Sequence, residues 1–184
     1  VKLAEAVGEG DRLRLGDQVG EVFLTEGHMN GHLSFLFEDL LFCGDTLFAG
    51  GCGYLFDGPP AKMFRSLKRL AGLHPATKVL CAHEYTQDNL RFAYSLEPGN
   101  LALVERIRRV WALRAEGRAT VPSTIQDERE TNPFLRQGSE ELLSNLKALM
   151  PEADLSTEGA TFAATRALKD RRDYKSIPDS ALPL

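Results

Sequence analysis

Histidine is scarce in this chain: there are four in 184 residues, and no two form an H-x-H pair. A pair of imidazole-bound metal ions needs a richer donor set, so the sequence as given cannot fill a binuclear shell. Cysteine is scarcer still. Cys43, Cys52 and Cys81 are odd in number and make no C-x-x-C pair, which excludes a disulfide framework and a cysteine–zinc site and fits a reducing cytoplasm. They read as small core residues. An excess of positive charge is also missing, with 22 basic against 26 acidic residues and a net charge of −4. That balance argues against a nucleic-acid partner. No apolar run reaches the ~20 residues of a spanning helix, and no cationic-then-apolar leader opens the chain, so no membrane partner is expected. The first residue is Val rather than Met, which reads as a removed start or an internal fragment.

What is present divides near Glu97-Pro98-Gly99. Before it, short β-rich runs dominate: Gln18 to Leu24, then Leu33 to Phe37 and Leu40 to Cys43 around a Glu38-Asp39 turn. The apolar run Val79-Leu80-Cys81 lacks alternation and predicts a strand buried on both faces. Met63, Phe64, Leu67 and Leu70 recur at helical spacing behind Pro60, and 87–96 reads as another helix. After Gly99 the pattern is helical. Leu101, Val104, Ile107, Trp111 and Leu113 line one helix, whose Arg106, Arg108, Arg109 and Arg114 read as a solvated face. Ser139 opens a second helix that Pro151 ends, and 158 to about 169 forms a third. The expected organisation is α+β, with residues 1–97 as a βα half-sandwich and 98–184 as a small helical domain.

Three stretches carry candidate chemistry: T-E-G-His28-M-N-G-His32, C-G-Asp45-T-L-F and C-A-His83-E-Y. Each places a metal-ligand side chain where an apolar strand opens into a loop, the position at which open α/β sheets gather their ligands. Imidazoles with one carboxylate suit a divalent ion such as zinc, and a carboxylate can bridge two. His32 reads as a loop support, and His74, before Pro75, as a surface residue.

Those stretches, with G-Asp45-T-L-F-A-G-G-C-G, His83-E-Y-T-x-x-N-L-x-F-A, Glu97-Pro98-Gly99-Asn100, Val121-Pro122-Ser123-Thr124, Asn132-Pro133-Phe134-Leu135-Arg136 and the segment 169–173, strongly resemble the glyoxalase II thioesterases, or hydroxyacylglutathione hydrolases, of the metallo-β-lactamase superfamily. The likeness runs in order through nearly the whole chain. His-Glu-Tyr and the helical tail are particular to this family.

The resemblance implies the C-terminal portion of an αββα sandwich, followed by a helical domain that completes a glutathione site. It implies hydrolysis of S-(2-hydroxyacyl)glutathione, chiefly S-D-lactoylglutathione, to glutathione and a hydroxy acid by a cytoplasmic monomer, as part of methylglyoxal detoxification. By motif position His28 matches a ligand of a first metal, His83 a ligand of a second, and Asp45 the carboxylate bridging both. These three carry catalysis through the metals, with zinc first and iron or manganese as alternatives. Tyr54, Leu55, Phe56, His83, Glu84 and Tyr85 match residues flanking the glutathione, and Lys169 with Arg172 matches the basic pair on its glycine carboxylate.

The sequence also departs from the family. The upstream T-H-x-H-x-D-H motif that supplies the remaining ligands is not in it. Tyr54 stands where the family usually has Lys or Arg, and Met29 where a small residue is common. The expectation is therefore a thioesterase whose chain as given lacks half the metal shell. The alternatives are a non-catalytic descendant that binds a thiol or protein partner, or another hydrolase or a one-iron dioxygenase of the superfamily. His83-Glu84-Tyr85 and the basic tail speak against the last.

Overall fold

The structure, a computed structural model, describes residues 6–184. Its centre is a six-stranded sheet in the order β1-β2-β3-β4-β7-β8. The strands are β1 (Arg12–Leu15), β2 (Gln18–Leu24), β3 (Leu33–Phe37), β4 (Leu40–Gly44), β7 (Lys78–Cys81) and β8 (Ser123–Thr124), and a separate hairpin pairs β5 (Leu47–Phe48) with β6 (Gly51–Cys52). Strands β1 to β4 pair antiparallel, β4 and β7 pair parallel, and β8 returns antiparallel to β7. It follows that β2, β4 and β7 run in one direction, so their C-terminal ends share one edge of the sheet.

Glu38 turns the β3–β4 hairpin at a φ of 52°, a left-handed conformation that hairpin turns require and glycine adopts at lower cost. The parallel β4–β7 pair needs a long crossover, supplied by the β5–β6 hairpin and α1 (Pro60–Ala71). Proline is tolerated at the start of α1, where its missing N–H removes no helical bond. The helix lays Met63, Leu67 and Leu70 against Leu41, Cys43 and Val79 of the sheet.

Five further helices follow: α2 (Thr86–Leu96), α3 (Leu101–Ala115), α4 (Ile125–Thr131), α5 (Glu140–Leu149) and α6 (Glu158–Arg171). The side chains of Asn100, Thr124, Ser139 and Thr157 accept backbone N–H bonds at the starts of α3 to α6, satisfying donors a helix start leaves free. Phe92, Phe134, Leu142, Leu146 and Phe162 continue the core that α1 and the sheet begin. Leu90, Ala93, Leu103, Ile107 and Val110 fill a second cluster between α2 and α3. Among the described residues no helix is long and apolar enough to cross a membrane.

Two expectations need correcting. Arg106 is not on a solvated face: it is 3% exposed and donates from Nη2 to Glu128 Oε1 at 2.5 Å. It lies on the same face as Leu103, Ile107 and Val110, buried with them. The strand β7 is buried on one face only. Val79 is enclosed, but Leu80 is half-buried beside Phe42, which is 40% exposed.

Candidate metal centre

Each ligand candidate hangs from the shared strand edge. The β2 strand delivers the loop 25–32, β4 delivers Asp45 and β7 delivers His83. Gly27 lets the first loop close onto α1, because at its φ of 139° a Cβ would fall 2.5 Å from Met63. Gly53 does the same across the site, where a Cβ would lie 1.9 Å from the Asp45 carbonyl oxygen and 3.2 Å from His28 Nδ1. The G-C-G motif is thus a matter of close approach.

Asp45 is the hub. Its Oδ2 lies 3.7 Å from His28 Nε2 and its Oδ1 lies 3.3 Å from His83 Nε2. His28 places Nδ1 2.9 Å from the Tyr54 carbonyl oxygen, an acceptor that fixes the proton on Nδ1 and leaves the Nε2 lone pair facing the carboxylate. That is the tautomer a metal-ligating imidazole needs. Phe56 backs the His28 ring edge-on at 5.1 Å, and Tyr85 stacks on the His83 ring at 4.8 Å. His28 and Asp45 are 16% and 27% exposed and His83 47%, so the centre faces solvent along the His83 side.

His32 supports this arrangement without joining it. Its Nε2 accepts the Asp45 N–H at 3.2 Å, so its proton sits on Nδ1, 3.0 Å from the Thr46 hydroxyl and 3.2 Å from that of Thr25. Burial and the neighbouring His28 hold its pKa below the usual value.

Among the described residues, no group of three or more His, Cys, Asp or Glu side chains is arranged to hold an ion. The donors come as two imidazole–carboxylate pairs sharing Asp45. Imidazole and carboxylate donors suit divalent ions, but each pair would offer an ion one nitrogen and one oxygen, below the three or four protein ligands usual for zinc.

A cavity of about 550 Å³ lies beside the centre, lined by Tyr54, Tyr85, Lys169 and Arg172 together with Phe48, Cys52, Asp88, Asn89 and Arg166. Arg172 ends α6 in the left-handed conformation at φ 64°, and that turn brings it to the cavity alongside Lys169. Lys169 is almost wholly buried, with Asn89 Oδ1 at 3.0 Å. Leu55 and Glu84 are turned away from the cavity. Leu55 packs on the core, and the Glu84 carboxylate accepts the Thr120 N–H at 2.9 Å and the hydroxyls of Thr120 and Thr86. Phe56 projects into solvent next to Tyr54.

A clamp beneath the centre was not visible in the sequence. Glu128, fully buried, accepts from Arg106 and Ser123 on Oε1 and from Gly50 N–H (2.8 Å) and Asn132 Nδ2 (2.9 Å) on Oε2. Asn132 also donates to the Gly51 carbonyl and Asn89 to that of Ala49. These bonds hold the β5–β6 hairpin, which joins Asp45 to Gly53 and Tyr54. The N-P-F motif at Asn132 was the available signal.

Comparison with known proteins agrees with this architecture. A family model described as the hydroxyacylglutathione hydrolase C-terminus matches residues 84–172, and one described as the metallo-beta-lactamase superfamily matches residues 7–83. A hydroxyacylglutathione hydrolase of Methylococcus capsulatus is 51% identical over 168 residues, covering 90% of this chain and 63% of that protein. One of Gloeobacter violaceus is 50% identical over 165 residues, covering 89% and 63%. The crystal structure of ETHE1 from Myxococcus xanthus superposes with a TM-score of 0.51 at 25% identity, covering 88% of this chain and 59% of that one. The chain therefore spans about 63% of the length of these two curated relatives.

Proposed function

Because the chain belongs to the hydroxyacylglutathione hydrolases of the metallo-β-lactamase superfamily, we propose that it serves a metal-dependent thioester hydrolase. The substrate is S-(2-hydroxyacyl)glutathione, S-D-lactoylglutathione above all, and the products are glutathione and a 2-hydroxy acid. His28 would hold one divalent ion, His83 the other and Asp45 both, zinc being the first choice. Bound there, the ions supply an acidified water and an electrophile for the thioester carbonyl.

The chain's own residues do the positioning. The Tyr54 carbonyl keeps His28 in the ligating tautomer, and His32 holds the Asp45 backbone so that the carboxylate faces both imidazoles. Residues 1–97 hold the metals in this reading, and 98–184 supply the substrate's grip. Lys169 and Arg172 take the glycine carboxylate, Arg172 by its planar fork, while Tyr54, Tyr85 and His83 flank the peptide.

One observation carries the reading: two tyrosines of the cavity wall also touch the His/Asp/His centre. Tyr54 lines the cavity and binds His28, and Tyr85 lines it and stacks on His83. A thiol carrier held by Lys169 and Arg172 would lie along these tyrosines with its acyl end towards the centre. In an enzyme completed with an upstream segment carrying the T-H-x-H-x-D-H motif, replacing both basic residues by Ala should raise KM for S-D-lactoylglutathione far more than it lowers kcat, the mark of lost uniform binding. An equal loss with a short acyl thioester lacking the tripeptide would overturn the assignment.

A non-catalytic glutathione-binding role is the second reading, favoured by the two protein donors per ion. Glutathione binding without thioesterase turnover at saturating zinc, in a chain completed with the upstream T-H-x-H-x-D-H segment, distinguishes it.

A further inference from the structure

Asp88 of α2 lies inside the cavity, and the proposed function leaves it unused. Its Oδ2 accepts the Tyr174 hydroxyl at 2.6 Å and stands 3.5 Å from Lys169 Nζ, while Oδ1 is 3.6 Å from Lys175 Nζ. Lys169 Nζ also sits 4.3 Å from the Tyr174 ring centroid and 4.9 Å from that of Phe92. Other charged or titratable groups crowd it. Arg166, Asp170 and Arg172 come from its own helix and helix end, the Cys52 thiol from β6, and Tyr174 and Lys175 from the 3-10 turn Asp173–Ser176. An ammonium stripped of water, between two rings and near a buried guanidinium, keeps its charge only if a carboxylate faces it. Asp88 is the carboxylate that reaches it.

We propose that Asp88 is a positioning residue of this pocket: it aims the Lys169 ammonium and keeps it charged, and so sets the pH range over which the pocket grips a carboxylate. This rests on reading the cavity as the glutathione site. An ammonium has three donors. Asn89 and Asp88 take two and fix the direction of the third, which remains for a ligand. The titration behaviour of both groups agrees. Burial, the largest influence, brings Lys169 from 10.5 to about 8; Asp88 opposes it and Arg166 adds to it. Burial also works against the Asp88 carboxylate, yet the Tyr174 hydroxyl and the two lysines hold its pKa below the ordinary value. The acid therefore stays ionised throughout the range in which Lys169 titrates.

The test compares the wild-type protein with Asp88→Asn and Asp88→Glu. Lysine labelled with carbon-13 at Cε reports the Lys169 titration by NMR in the free protein, and calorimetry gives the glutathione affinity from pH 6 to 9. In Asp88→Asn the titration should move down by about one pH unit. Glutathione binding should then weaken several-fold at pH 7.5 and little at pH 6, with Asp88→Glu restoring most of the difference. An unchanged Lys169 titration, whether or not the melting temperature moves, would make Asp88 merely structural and overturn the proposal. Tighter glutathione binding by Asp88→Asn at every pH would overturn it too, since Asp88 would then only cancel charge. If glutathione binds neither protein, the reading of the cavity fails, while the Lys169 titration still decides whether Asp88 keeps the ammonium charged.

Discussion

His83 Nε2 approaches Asp45 Oδ1 to 3.3 Å while the other oxygen of the same carboxylate faces His28 at 3.7 Å. One carboxylate thus serves two imidazoles, one oxygen each. In the proposed function a carboxylate so placed would contribute to both ions, whereas either histidine would contribute to one. In a chain completed with the upstream T-H-x-H-x-D-H segment, Asp45→Ala should reduce bound metal towards zero, and His28→Ala should mainly empty one site, as read by metal analysis after equilibration with zinc. Equal metal content in the two variants would refute the bridging role.

The Glu128 clamp makes a stability prediction. Removing one partner of a buried ion pair leaves the other uncompensated, at a cost of about 3–5 kcal/mol. Glu128→Ala should lose that much in urea denaturation, because Arg106 is buried with it. Adding Arg106→Met should recover roughly half. Recovery is incomplete because the Gly50 N–H loses its acceptor, an unsatisfied buried donor costing about 1–3 kcal/mol. Strict additivity of the two substitutions would show that the pair is not coupled.

How much of this was legible follows from the strength of each local signal. The β-rich run 18–24 and the Glu38-Asp39 turn marked β2, β3 and β4, the 3.6-residue period marked α1 and α3, and the Ser139 start with the Pro151 stop marked α5. The short β1, β8 and α4 carry few apolar residues and went unread. Arg106 was misplaced because a helix rich in arginine looks solvated until its partner is known, and Glu128 lies 22 residues away. The placing of His28, Asp45 and His83 at strand ends could be read from glycines and apolar runs. The inward-facing Asp88 and the outward turn of Glu84 could not, because both depend on contacts across the chain, with Tyr174 and with Thr120.

Lys169 also predicts a trade between stability and binding. Its pKa falls from 10.5 to about 8 on folding, so between these values the unfolded chain holds the proton more tightly. Stability is therefore full above 10.5 and declines as pH falls to 8. At ~1.4 kcal/mol per pH unit the penalty reaches roughly 3 kcal/mol. Lys169→Met should be more stable than wild type at pH 7 by up to that amount, less whatever Asp88 loses with its partner. The advantage should fade by pH 10.5. Urea midpoints at the two pH values check it, and a variant less stable at pH 7 than at pH 10.5, relative to wild type, would reverse the sign.

The last prediction concerns metal affinity in the chain as given. Each ion would receive one imidazole nitrogen and one carboxylate oxygen from these residues, while stable zinc sites draw on three or four protein donors. Neither His32 nor His74 can make up the difference. His32 has both ring nitrogens engaged with Asp45, Thr25 and Thr46, and His74 sits exposed in the turn before β7, bonded to Ala76. The face of the sheet bearing Phe42 and Leu80 is meanwhile only partly covered, and an exposed apolar strip of that kind invites association. These 184 residues alone should therefore bind zinc weakly and hydrolyse S-D-lactoylglutathione no faster than background. Fusing an upstream segment that carries the T-H-x-H-x-D-H motif ahead of residue 1 should raise zinc affinity and thioesterase activity together. The two gains have one cause, since added donors complete the shell around Asp45. Tight binding of two zinc ions by the unfused chain, in a calorimetric titration at protein concentrations low enough to exclude dimers, would mean the donors are drawn from residues assigned other roles here.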